Sequence, residues 1–128
     1  METLTYADTA PFIPPVESGR VIKVYDGDTI TIGCYVYGKA FRFSVRLLGI
    51  DTPEMKGPHK DMAVIARDAL HDLVFHEIVH LKNVGIEKYG RLLADVYLGD
   101  LHVNAWMKEK GHALSYFGGK KPTELEPC

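Results

Sequence analysis

The apolar residues change from an alternating to a helical spacing near Lys60, and this change limits the folds open to the chain. Before it, runs rich in Val, Ile, Thr and Tyr predict strands over residues 20–26, 29–37 and 40–50. In the third run apolar and polar side chains alternate, as in a strand with one buried face. After it, apolar residues recur at helical spacing over residues 60–75. The chain therefore begins as a three-stranded meander followed by a helix.

The second half returns to strand character at residues 77–84 and 91–98, and residues 103–110 predict a short helix that Gly111 ends. Small OB-type barrels show this order, although other α+β folds share it. We expect a mainly β, α+β fold. In it, a five-stranded OB-type Greek-key barrel carries one long helix between strands three and four and short C-terminal helices. Such a barrel fills its interior with side chains, so functional groups are expected on its outer face and loops.

The length of 128 residues indicates one domain. We expect it to span residues 19–118, with a proline-containing tail over residues 1–18 and a polar tail over residues 119–128. The first segment lacks the pattern of a signal peptide, and no apolar run approaches the ~20 residues of a membrane helix. The cysteines, Cys34 and Cys128, form neither a disulfide framework nor a zinc pattern. We expect an intracellular monomer without membrane contact.

The net charge of −2 argues by itself against a dedicated nucleic-acid-binding protein. However, all 15 Lys and Arg residues lie between Arg20 and Lys121, where they meet only 12 of the 17 acids, so this segment carries +3. A cation that neutralised the acids of two short motifs would leave a basic surface; the alternative is that the charges are scattered. The motif acids are Asp26, Asp28, Asp51 and Glu54.

The first of these motifs is "VYDGDT", residues 24–29, between two β-branched runs. A hairpin turn explains Asp26 and Gly27 but does not explain the second acid, Asp28. The segment is therefore either a turn with a spare carboxylate or a turn that exists to place one.

The second motif, "RLLGIDTPE" at residues 46–54, leads from a strand into a loop. Arg46 and Asp51 are five residues apart, so a regular strand would point them to opposite faces. A bulge at Gly49 could bring them together. The alternative is an Asx-type turn ahead of the proline, with Glu54 in solvent.

The third motif, "EKYGR" at residues 87–91, taken alone is typical of a basic hairpin corner. Together, in this order and each at a strand end, the three motifs closely resemble the staphylococcal nuclease (thermonuclease-like) family. The resemblance runs from about Arg20 to Tyr116 and includes the order of strands and helices. It implies an OB barrel with helices packed beside it.

The resemblance also implies a metal site. Asp28 and Asp51 match the two carboxylate ligands, and Thr52 matches the residue that gives a backbone carbonyl. Asp26 matches an acid behind these ligands. The implied metal is Ca²⁺, with Mg²⁺ or another divalent ion as the alternative, and hard cations of this kind prefer oxygen donors.

The implied reaction is hydrolysis of DNA or RNA to 3′-phosphate and 5′-hydroxyl ends. Glu54 matches the glutamate beside the attacking water, and Arg46 and Arg91 match the arginines on the scissile phosphate. A divalent cation and two arginines would offset the charge that builds on the phosphodiester. Contacts to the nucleotide fall on Lys88 and Tyr89 and, near the C-terminus, on Tyr116 and Phe117.

Two other functions stay open. Non-catalytic members of the family bind nucleic acid or a protein partner, but they usually lack one or more of the motif acids or arginines, and this chain has them all. An OB module that binds single strands by stacking would need several exposed aromatic residues on its strands, for which Tyr35 and Tyr37 are the candidates.

Overall fold

The computed structural model of the chain describes residues 3–87 and 90–115. Five longer strands dominate it, together with one long and one short helix. The longer strands are β1 (Ser18–Asp26), β2 (Thr29–Val36), β3 (Lys39–Leu47), β5 (Ile78–Ile86) and β6 (Leu92–Leu98). The short strands are β4 (Ile50–Asp51), β7 (Leu101–His102) and β8 (Leu114–Ser115), the helices are α1 (Lys60–Val74) and α2 (Val103–Glu109), and a 3-10 turn covers Tyr6–Asp8.

The five longer strands close into a barrel. They follow one another as β3-β2-β1-β5-β6, and β3 then pairs with β6 in parallel, for example at Val45 and Leu92. This last pairing brings the two ends of the sheet together. The structure confirms the predicted mainly β, five-stranded barrel with its long helix between the third and fourth barrel strands.

The barrel interior is aliphatic because alternate residues of each strand point inward. Helix α1 covers the barrel with residues spaced four apart, Ala66, Leu70 and Val74, all fully buried. Burying one such branched side chain stabilises a fold by roughly 1.5–3 kcal/mol. The inward strand residues include Val21, Ile30, Ile32, Val45, Leu47, Val79 and Val96.

The third strand ends earlier than the sequence predicted. It stops at Leu47 rather than at residue 50, because Gly49 has a φ of 81° that turns the chain. The chain resumes as β4, in which Asp51 pairs with Leu114 of β8 rather than with the barrel. This break decides the position of Asp51.

The other ends of the predicted elements shift slightly. The first strand begins at Ser18 rather than at residue 20, and β5 extends to Ile86 rather than residue 84, past an irregularity next to Asn83. Val16, ahead of β1, is buried in the core, so part of the predicted tail contacts the barrel; the division into tails and domain stays a prediction. Within the described ranges, neither helix is long and apolar enough to span a membrane.

Candidate active site

The turn between β1 and β2 is packed against the rest of the molecule through a glycine. A Cβ atom at Gly27 would lie 2.8 Å from Cβ of Ala66 in α1 and 2.9 Å from Cγ2 of Thr52 in the loop after β4. Real Cβ atoms do not approach so closely, so only glycine fits without a shift. The glycine of "VYDGDT" therefore lets the turn dock on α1 and on the "DTPE" loop.

Asp28 is held at the centre of this contact and is only 6% exposed. Its Oδ1 accepts a hydrogen bond from the Thr29 hydroxyl at 3.1 Å, and its Oδ2 accepts one from the Thr52 N–H at 3.2 Å. Its backbone carbonyl accepts a bond from the Leu47 N–H at 2.8 Å. The two motifs therefore meet at Asp28, which is held by two hydrogen bonds to its carboxylate and one to its backbone carbonyl.

Arg46 bridges two buried carboxylates. Its Nη2 lies 3.3 Å from Oδ1 of Asp51 and 3.6 Å from Oδ2 of Asp28. The arginine side chain is 13% exposed and each acid side chain 8%, so these ion pairs are stronger than they would be in open water. Arg46 and Asp51 meet, although a regular strand would separate them, because the chain bends at Gly49.

Asp26 lies behind Asp28 and accepts a hydrogen bond from the Asp28 N–H through Oδ1, at 3.1 Å. Burial, and then the neighbouring Asp28 carboxylate, raises the pKa of Asp26 to about 7. Both causes disfavour the ionised form, and a nearby cation would favour it again. The site thus concentrates more negative charge than Arg46 alone neutralises.

The donor atoms fit a hard divalent cation. Asp28 and Asp51 offer two carboxylates, and the buried hydroxyl oxygen of Thr52 has no hydrogen-bond partner among the described residues. Calcium binds about 6–8 oxygens in flexible geometry. These two carboxylates would need other ligands, because residues 3–87 and 90–115 contain no group of three or more His, Cys, Asp or Glu side chains that could hold a metal ion. Backbone carbonyls and water would therefore supply the remaining ligands.

Glu54 is exposed in the loop that follows β4, where its backbone carbonyl accepts a hydrogen bond from the Gly57 N–H at 3.1 Å. It lies two residues after Thr52 and three after Asp51, the last residue of β4, and unlike them it is exposed. A carboxylate in this position is open to water, whereas Asp28 and Asp51 are not.

Arg91 lies just before β6 and forms an ion pair with Glu87 through its Nε. It lines a polar cleft of about 270 Å³ together with Thr29, which is the cross-strand partner of Arg46. The two arginines of the motifs therefore border neighbouring parts of one surface. Sequence reasoning missed Glu87 as a partner of Arg91; its spacing of four residues within "EKYGR" was the available signal.

Direct contacts join five of the predicted site residues, while Glu54 follows them in the adjoining loop and Arg91 lines the neighbouring cleft. The contacting set is Asp26, Asp28, Arg46, Asp51 and Thr52. The predicted nucleotide contacts Lys88, Tyr89, Tyr116 and Phe117 lie outside the described residues.

A closed barrel with a buried acid pair and an arginine at one end is the architecture expected of a staphylococcal-nuclease-type domain. The family model described as "Staphylococcal nuclease homologue" matches residues 44–127, more than half of the chain. The chain belongs to this family, and the OB-type assignment of the barrel is confirmed with it.

Several named proteins are similar over most of the chain. An "Uncharacterized endonuclease" of Haemophilus influenzae is 36% identical over 97 residues, which cover 76% of this chain and 51% of that protein. The "Micrococcal nuclease" of Shigella flexneri is 33% identical over 117 residues, covering 84% and 63%. The "Thermonuclease" of Staphylococcus intermedius is 36% identical over 110 residues, covering 79% and 61%. The chain thus spans between half and two thirds of the length of these relatives.

Proposed function

We propose that this chain is a calcium-dependent nuclease, acting as a monomer, that hydrolyses phosphodiester bonds of DNA or RNA. The observation that carries the proposal is Arg46 between two buried carboxylates, at 3.3 Å from Asp51 and 3.6 Å from Asp28. An acid pair suits a cation, and a guanidinium suits a phosphate. The printed names of the relatives, which include a micrococcal nuclease and a thermonuclease, support the same activity.

In this proposal the acid pair and the backbone carbonyl of Thr52 hold Ca²⁺, which supplies positive charge beside the phosphate when bound. The Arg46 guanidinium then donates its planar pair of hydrogen bonds to phosphate oxygens. Arg91, which Glu87 orients, donates further hydrogen bonds to the same phosphate group. Removing one donor of this kind typically slows a reaction by about 10²–10³.

Glu54 orients and deprotonates the attacking water in this proposal. It suits the task because it is a solvent-exposed carboxylate on the loop that directly follows the acid Asp51. The water oxygen bonds to phosphorus, the bond to the 5′ oxygen breaks, and that oxygen takes up a proton. The products are a 3′-phosphate and a 5′-hydroxyl.

The test is digestion of single- and double-stranded DNA and RNA with Ca²⁺, with Mg²⁺ and with a chelator, followed by analysis of the product ends. We expect cleavage with Ca²⁺ and none with chelator. Glu54→Ala should reduce kcat by about 10²–10⁴-fold. Glu109→Ala, which removes an exposed acid at the end of α2, serves as the matched control. Binding of nucleic acid without cleavage under every condition would instead assign the chain to the non-catalytic alternative.

A further inference from the structure

The outer face of β1, β2 and β3 carries polar and cationic side chains well beyond the acid pair. Because alternate residues of a strand share a face, the strand register sorts these side chains into three rows that cross the sheet. The row nearest the acid pair is Asp26, Thr29 and Arg46; the middle row is Lys23, Thr31 and Ser44; the far row is Arg20, Gly33 and Arg42.

The middle row lies in the polar cleft that Arg91 borders. Among the described residues, its lining contains two cations, three hydroxyl-bearing side chains of Ser or Thr and a tyrosine; one of the cations, Arg91, is paired with Glu87. Cations and hydroxyls are the groups with which proteins contact phosphate and sugar oxygens. The cleft therefore continues the phosphate-binding chemistry of Arg46 away from the acid pair.

The far row forms a wider groove of about 920 Å³ with Gly33 at its floor. Since Gly33 has no side chain, the sheet backbone lies open between Arg20 and Arg42. Ile22 and Tyr35 line the groove and are 44% and 80% exposed. A flat space with an exposed aromatic ring and two guanidinium groups matches an unpaired base and its phosphate.

The cations of these two rows are available to a ligand. No ion pair joins Arg20, Lys23 or Arg42 to an acid within residues 3–87 and 90–115. Arg20 and Arg42 are both exposed at the rim of an otherwise apolar groove. This charge complements a polyanion and favours nucleic acid over an apolar peptide as the occupant.

We propose that the groove over Gly33 is a second subsite, which binds a nucleotide of a single-stranded nucleic acid whose scissile phosphate lies at Arg46. The proposal rests on the proposed nuclease function for the position of the scissile phosphate. Arg42 and Arg46 are four residues apart on β3, so they are separated by about 13 Å at ~3.3 Å per residue. That distance exceeds the ~3.4 Å axial rise per nucleotide of one DNA strand several times, so the groove lies beyond the nucleotides that flank the scissile phosphate. Single strands are favoured because paired bases do not expose a face for stacking.

A larger residue in place of Gly33 would fill the groove without a steric clash at its Cβ atom. The three atoms nearest to a Cβ there would be two of Ile22, at 3.6 and 3.7 Å, and the Phe41 carbonyl oxygen at 3.9 Å, which are ordinary contacts. Gly33→Val therefore suits the strand and occupies the groove, and Gly33→Ala occupies less of it. Arg42→Gln removes one charge at the rim, and Lys108→Gln, exposed on α2, is its matched control.

The experiment measures binding of labelled single-stranded DNA by fluorescence anisotropy, at one fixed salt concentration and with chelator, so that no cleavage occurs. We expect the parent to bind a 12-mer more tightly than a dinucleotide and more tightly than a 12-base-pair duplex. Gly33→Val and Arg42→Gln should each weaken 12-mer binding by roughly 5–50-fold. Gly33→Ala should weaken it less, and Lys108→Gln should match the parent. Thermal unfolding of each variant verifies that it is folded.

Equal 12-mer affinities of folded Gly33→Val, Arg42→Gln and the parent would overturn the subsite, and so would tighter binding of the duplex. Self-association of the parent that Gly33→Val abolishes, with oligonucleotide affinity unchanged, would assign the groove to a second copy of the chain. The nuclease function is tested separately by hydrolysis of the dinucleotide with Ca²⁺, which is too short to reach the groove. If Gly33→Val weakens oligonucleotide binding but the parent hydrolyses no substrate, the nuclease function is refuted and the subsite is supported.

Discussion

At the scale of single residues, Asp26 and Asp28 have different environments although only one residue separates them. Both oxygens of Asp28 face the site, where they contact Thr29, Thr52 and Arg46. Asp26 instead accepts the N–H of Asp28 and supports the turn. We predict that Asp28→Ala abolishes Ca²⁺ binding at the site and that Asp26→Ala only weakens it. Calorimetric titration of Ca²⁺ into each variant measures this, and equal affinities of the two variants would refute the division.

Gly27 is a second residue whose role depends on its surroundings. Adding one methyl group would force Ala66 and Thr52 apart, because the new Cβ would lie 2.8 and 2.9 Å from their side chains. Overpacking of this kind typically costs about 1–3 kcal/mol. We predict that Gly27→Ala lowers the free energy of unfolding in urea by that amount and also weakens Ca²⁺ binding. The control is Gly85→Ala in β5, whose Cβ would meet no atom within 4 Å; an equal loss in both variants would show that packing of the turn is not the cause.

The sequence indicated which residues form the site, but not the contacts that hold them in place. The turn and its second acid were visible in "VYDGDT", but the close approach of α1 to Gly27 was not, because it joins segments far apart in the chain. The bend at Gly49 could be anticipated, since five residues separate Arg46 from Asp51 and glycine accepts a positive φ. The catalytic and metal-binding roles themselves stay predictions.

At the scale of elements, Asn104 joins the short helix α2 to the barrel. Its Nδ2 donates to the carbonyls of Leu48 and Ala94 at 2.8 and 3.1 Å, and its Oδ1 accepts the N–H of Val96 at 2.9 Å. Asn104 is 2% exposed, so its removal takes a hydrogen bond from the Val96 N–H and from the Leu48 carbonyl, whereas the Ala94 carbonyl still accepts the N–H of Leu48 at 2.9 Å. This tie fixes α2 next to the corner at which β3 ends.

We predict that Asn104→Ala lowers the free energy of unfolding by about 2–3 kcal/mol, because unsatisfied buried polar groups cost about 1–3 kcal/mol each and part of the loss is recovered by water. Chemical denaturation measures the change. Lys108→Ala, on the exposed side of the same helix, should differ from the parent by less than about 0.5 kcal/mol. Similar stabilities of the two variants would mean that the Asn104 hydrogen bonds do not hold α2.

Strands and helices could be predicted from the sequence where the apolar residues repeat over a long enough segment. The five longer strands and α1 each carry such a pattern, whereas β4 and β8, with two residues each, carry none. The irregularities of β1 near Ile22 and Tyr25 were also invisible, because they arise from its pairing with β2. The closure of β3 on β6 likewise depends on residues about 47 apart, such as Val45 and Leu92, which no local pattern specifies.

At the scale of the whole molecule, the fold places acidic and basic side chains in different regions, which the net charge does not show. The net charge is −2, yet Asp28 and Asp51 are buried near one end of the barrel strands. Arg20, Lys23 and Arg42 instead spread over the outer face of β1 and β3. A cation bound by the buried acids would leave this face basic, as the sequence suggested for its middle segment. We therefore expect the acid pair to bind the cation and Arg46 to bind the phosphate.

The most direct test of that separation is a parallel measurement of Ca²⁺ affinity and of single-stranded DNA hydrolysis in the parent and in Arg46→Ala. Arg46 competes with a cation for both carboxylates, at 3.3 and 3.6 Å. The variant is therefore predicted to bind Ca²⁺ at least as tightly as the parent while kcat falls by about 10²–10³. Unchanged hydrolysis by Arg46→Ala, or hydrolysis by the parent that persists in chelator, would contradict the account.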